Sequence, residues 1–70
     1  MQKRLKLKSF RAGKGLNQIE MAKRCKVSRS IYSLIELGKQ QGTADFWLNL
    51  KTEFNLSPDE VWAMQYEGKE

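Results

Sequence analysis

Hydrophobic positions along the chain recur mainly at helical spacing. Leu7 and Phe10 form an apolar i,i+3 pair in a first helix spanning about residues 2–12, ahead of the permissive Gly13 and Gly15. Asn17, with Glu20 three residues on, has the pattern of a capping box and opens a short second helix over 18–24, with Met21, Ala22 and Cys25 facing inward. Ser28 caps a third helix over about 29–37, stopped by Gly38. After the polar turn Gly38–Gly42, Thr43 caps a fourth helix over 44–54, where Phe46, Trp47, Leu50 and Phe54 form a broad aromatic stripe suited to a core. Asn55 is its expected stop.

The strongest local signal is Ser57-Pro58-Asp59-Glu60. A serine cap, a proline at the first helical position and a glutamate at the third open a fifth helix over about 58–66, with Leu56 and Val61 at the two staple positions. Adjacent Asp59 and Glu60 therefore belong to a helix start and not to an acid–base pair. The charged tail Glu67–Glu70 is expected to fray. These elements predict an all-α fold, a compact five-helix bundle in a single domain over 1–70.

Composition narrows the function by exclusion. Cys25 is the sole cysteine and there is no histidine, which removes the usual zinc sites, imidazole switches and histidine-paired nucleophiles. Gly13-Lys14-Gly15 lacks the glycine spacing and the following Ser or Thr of a phosphate loop. No enzyme activity, cofactor, metal or small-molecule ligand is indicated. No apolar run approaches the ~20 residues of a membrane span, and the N-terminal MQKRLKLKSF has no continuous apolar segment. The expected place of action is the cytoplasm, on the nucleoid.

Charge then supplies a partner. The net charge is +5, but residues 1–40 hold eleven Lys and Arg against Glu20 and Glu36, whereas residues 41–70 hold Lys51 and Lys69 against six acids. A basic front half and an acidic back half suit a protein that meets a polyanion on one face.

The short second helix, its turn and the third helix have helix-turn-helix spacing. Ala22 sits where the two helices cross, and Val27 fills the space between them. Arg11, Gly15-Leu16-Asn17-Gln18, Met21-Ala22, Val27-Ser28-Arg29-Ser30 and Ile35-Glu36-x-Gly38-Lys39, in that order, resemble the lambda-repressor-like (Cro/repressor, or XRE) DNA-binding domains over about residues 4–64. The resemblance implies a transcriptional regulator that binds double-stranded DNA as a symmetric homodimer, with the third helix in the major groove. It implies Arg29, Ser30 and Leu34 at base edges, Asn17, Gln18 and Lys39 on phosphates, and an Arg11–Glu36 ion pair joining the first and third helices. Ser30 and Ser33 have hydroxyls that suit bases or backbone, with Ser33 placed among the base-reading residues, and Ser28 is a further phosphate candidate. Arg29 has the fork for guanine O6 and N7, yet an arginine in a first turn also suits a phosphate. Lys23, Arg24 and Lys26 supply field or a solvated helix end. Trp62, Met64 and Tyr66 form either a dimer contact or part of the monomer's core.

The chain departs from the family pattern in three ways. Lys26 stands where glycine is common, Tyr32 stands where a branched aliphatic packs, and Leu34 and Leu37 turn outward if Tyr32 and Ile35 turn inward. Seventy residues give no room for a ligand-sensing or self-cleaving domain, so the expected protein is a short repressor of phages or other mobile elements. The alternative is an antitoxin or anti-regulator that uses the same bundle to mask a protein partner, for which exposed Ile31, Leu34 and Leu37 are the motive.

Overall fold

The computed structural model describes residues 3–67. Five helices follow in order: α1 (Leu5–Gly13), α2 (Gln18–Arg24), α3 (Arg29–Glu36), α4 (Ala44–Phe54) and α5 (Pro58–Gln65). No strand occurs among the described residues, and no helix among them is long and apolar enough to cross a membrane.

Side-chain caps set four of the helix starts. Asn17 Oδ1 accepts from Glu20 N at 2.8 Å while Glu20 Oε1 accepts from Asn17 N at 2.9 Å, closing a capping box. Ser57 and Glu60 repeat the device on α5. Ser28 Oγ accepts from Ile31 N, and Thr43 Oγ1 from Phe46 N. The bond to Ser57 N also holds the Glu60 carboxyl below its ordinary range.

The ends of the first four helices share one geometry. After α2, Val27 N reaches back to Ala22 O at 3.0 Å and Lys26 N to Lys23 O at 3.2 Å, with Lys26 left-handed at φ 62°. The same paired bonds close α1 around Gly15, α3 around Gly38 and α4 around Asn55. Gly13 is the last residue of α1 and has open space beside it, so Gly15 alone supplies the left-handed backbone expected from this pair.

α1 starts later than its sequence pattern suggests. Gln2 lies outside the described residues, and Arg4 precedes the helix in a non-helical conformation. Its side chain is buried, not part of a solvated basic run. Arg4 N donates to Glu36 O at 2.9 Å. The guanidinium donates to Ile35 O, to Gln40 O at 2.8 Å and to Gln65 O at 3.2 Å, and it lies over the Trp47 ring. Burial pulls the Arg4 pKa down from its ordinary value, and nearby Glu67 partly offsets that. Glu67, expected in a fraying tail, accepts at Oε1 from Lys6 N at 2.6 Å in the first turn of α1. The remaining tail, residues 68–70, lies outside the described residues.

The core is built by Leu7, Met21, Ala22, Cys25, Tyr32, Ile35, Phe46, Trp47, Leu50, Leu56, Val61 and Met64. Leu56 and Val61, at the two staple positions around the start of α5, are both buried in this core. Gly42 permits the close approach of the α3–α4 turn to this core: a Cβ there would stand 3.0 Å from Trp47 Nε1 and 3.3 Å from Ile35 Cδ1. Trp47 Nε1 donates to Gln41 O at 2.9 Å and fixes the same turn. Asn49 of α4 donates to Cys25 O at 3.2 Å, which ties the support helix to the turn between α2 and α3.

Candidate nucleic-acid interface

α3 has two unlike faces. Tyr32, Ile35 and Glu36 are buried. Arg29 and Ser30 are exposed in its first turn, Ser33 and Leu34 are half-buried, and Leu37 is exposed at its C-terminal end. Positions 29, 30, 33, 34 and 37 lie on one stripe at helical spacing. Leu34 is thus only partly turned outward, because its neighbours in the register, Tyr32 and Ile35, are drawn fully into the core. Ile31 is 37% exposed and borders a cleft with Val27, Thr43 and Phe46.

Ser28 is exposed; its oxygen is engaged as the α3 cap, and its O–H remains a donor. Asn17 caps α2 through Oδ1, leaving its amide N–H groups outward. Lys39 is exposed in the turn that follows α3, where its own backbone N–H closes the helix on Leu34 O at 2.9 Å.

Behind the stripe lies a buried polar cluster centred on Glu36. Arg11 Nε donates to Glu36 Oε2 at 2.9 Å and Arg11 Nη2 to Oε1 at 3.3 Å, a two-point ion pair between α1 and α3. Arg11 Nη1 also donates to Leu16 O at 2.9 Å, fixing the approach to α2. Tyr32 Oη donates to Glu36 Oε2 at 2.7 Å, and Gln18 Nε2 donates to Oε1 at 3.2 Å. Burial opposes ionisation of Glu36, but the bonds from Arg11, Tyr32 and Gln18 together outweigh it and hold the carboxyl below its usual range. The bond to Glu36 conversely raises the Arg11 pKa. Burial, and then Glu36 as acceptor and as charge, push the Tyr32 phenol far above its ordinary value. Every buried side-chain nitrogen and oxygen among the described residues has a partner.

Arg24 does not simply contribute field. Its Nη1 pairs with Glu53 of α4 at 3.0 Å and its guanidinium lies over Phe54. Lys23 and Lys26 are exposed. Cys25 is fully buried, and burial raises its thiol pKa to about 11, the state of an inert core group. Among the described residues no cluster of His, Cys, Asp and Glu has the makings of a metal site.

Of the three residues read as a dimer contact or core, Met64 is 5% exposed and belongs to the core. Trp62 is 64% exposed, and Tyr66 is half-buried with its ring centroid 4.1 Å from that of Trp62. Sequence reasoning missed Arg4, which looks like one of four basic residues in a run, and whose partners lie 31 to 61 residues away. No local signal marks it.

A two-helix unit with an exposed arginine-and-serine stripe, braced by a buried Arg–Glu pair, defines the helix-turn-helix class. A family model for helix-turn-helix domains matches residues 7–61, and the chain belongs to that family, in its XRE, lambda-repressor/Cro-like branch. It is a DNA-binding transcription regulator of the XRE type. Comparison with curated proteins and with solved structures gave no match.

Proposed function

We propose that the chain is a short repressor of the kind carried by phages and other mobile elements, binding as a homodimer to a palindromic operator with α3 in the major groove. The observation that carries this reading is the outward stripe of α3, where Arg29 and Ser30 stand exposed in the first turn with Ser33 and Leu34 behind them. Arg29 donates to guanine O6 and N7, Ser30 and Ser33 hydrogen-bond to base edges, and Leu34 meets a thymine methyl. Asn17, Gln18, Ser28 and Lys39 hold phosphates and fix the register. The protein acts on the nucleoid, in the cytoplasm.

Dimension and surface both support a dimer. The body measures 29 × 25 × 22 Å, and two such bodies side by side suit half-sites spaced one turn of DNA, ~34 Å, apart. Trp62, with Tyr66 against it, is the largest apolar side chain left in solvent, and a second copy would cover it.

Selection of bound duplexes from a random pool, followed by affinity against salt, tests the reading. The expected result is a two-fold symmetric site bound with a Kd of about 10⁻⁸ M or tighter, and log K falling with log salt by ~0.9 per phosphate contacted. An enrichment that yields no site, together with a shallow salt slope, overturns it. Arg29→Ala is expected to relax preference at one position per half-site and to cost about 1–3 kcal/mol. Uniform weakening on every sequence would instead make Arg29 a phosphate contact.

A further inference from the structure

Glu36 is shared among three other side chains from three helices. Its Oε2 takes Arg11 Nε and the Tyr32 hydroxyl; its Oε1 takes Arg11 Nη2 and the Gln18 amide, the latter at 3.2 Å. Arg11 and Tyr32 thus aim the carboxylate from two sides, and Gln18 is the one member of the cluster at the start of α2. A neutral amide carries two N–H donors on Nε2. One of them rests on Glu36, which leaves the second to point away from the carboxylate.

We propose that Tyr32 is a positioning residue for DNA-backbone recognition, acting through Glu36 to fix the amide of Gln18 toward a phosphate. The inference rests on the phosphate role of Gln18 proposed above. Tyr32 lies one turn before Glu36 on α3, so its hydroxyl bridges i to i+4 and reaches Oε2 at 2.7 Å. Its ring is fully buried against Phe46 and cannot itself meet DNA. An aliphatic side chain at this position would fill space but leave Glu36 one donor short, and the carboxylate could swing about its bonds to Arg11. Gln18, held by one bond only, would follow it. An amide already aimed before DNA arrives loses less freedom on binding than one that must be ordered then. The tyrosine therefore adds to grip on every sequence and to preference for none.

The test pairs Tyr32→Phe, which keeps the ring and removes the hydroxyl, with Gln18→Ala in a double-mutant cycle. Side-chain amide resonances of Gln18 in the free protein are read alongside. The expected result has three parts. The Gln18 amide resonances, displaced from those of a solvated glutamine in the wild type, move toward solvent-like shifts in Tyr32→Phe, and the order parameter of Nε2 falls. Affinity falls roughly two- to tenfold on operator and random duplex alike. That loss disappears when Gln18 is already alanine. Unchanged amide resonances in Tyr32→Phe overturn the proposal, as does a loss of affinity that persists in full in the Gln18→Ala background. Solvent-like Gln18 resonances in Tyr32→Phe, beside a Gln18→Ala chain that binds as tightly as wild type, support the Tyr32–Glu36–Gln18 coupling and overturn the phosphate role of Gln18 instead.

Discussion

At the scale of single residues, Glu36 joins folding to function. Its carboxylate is buried, receives four donated bonds and carries the charge that makes Arg11 a partner in place of a solvated surface cation. Its folded pKa is lower than the ordinary 4.5, so the folded state binds fewer protons there than the unfolded state does. The stability it contributes is complete above the unfolded value and is lost as pH falls through the folded one. Urea unfolding followed from pH 7 down to about pH 3 is expected to show a steeper acid loss in wild type than in Glu36→Gln. Parallel acid limbs would assign the acid loss to other carboxylates, Glu60 first among them. Sequence could name Arg11 and Glu36 only by resemblance, because 25 residues separate them and spacing alone pairs nothing. It left the Tyr32 hydroxyl without a partner for the same reason: an i,i+4 pair is legible, but which way the carboxylate turns is set by Arg11 from another helix.

At the scale of elements, helix starts were the most legible feature. Asn17, Ser28, Thr43 and Ser57 each cap as their identities suggest, since a cap is a local exchange between a side chain and the backbone three residues on. Helix ends were legible only where glycine or asparagine marked them. The end of α2 has the same paired bonds as the others but places Lys26 at φ 62°, where a β-carbon is crowded. Lys26→Gly is expected to stabilise the domain by about 1 kcal/mol, the left-handed penalty less the extra freedom that glycine gives the unfolded chain. Equilibrium denaturation reads it directly, and an unchanged or lower midpoint would mean that the lysine stem is held by packing that offsets the strain. The start of α1 was misread because Leu7 and Phe10 fix a helix without saying how far it extends toward the N-terminus. Tertiary bonds to Arg4 decide that.

At the scale of the molecule, the division of charge foreseen from composition is partly internal. Arg4 is buried, Arg11 is neutralised by Glu36 and Arg24 is paired with Glu53, so three of the eleven basic residues of the front half are committed to the fold. The field that DNA meets comes from the others, Arg29 and Lys39 among them. Exposed Trp62 governs the proposed assembly. Trp62→Lys is expected to shift sedimentation from dimer to monomer at micromolar concentration. It should weaken binding to a full palindrome by at least tenfold, while a single half-site is bound as before. Equal losses on both would place Trp62 in the stability of the fold, not in association. Met64, drawn inward by the same helix, is excluded from that role by its burial, a distinction that the 3.6-residue period leaves open when both faces of α5 carry large apolar side chains.

The bonds from Arg4 to Gln65 and from Lys6 to Glu67 bring the two ends of the described chain side by side. The path of the described residues therefore nearly closes on itself, and a short peptide linker could join the start of α1 to the end of α5 without moving either helix. A backbone cyclised in this way would retain the α3 stripe and the Glu36 cluster unchanged. It would also leave exopeptidases no end to enter.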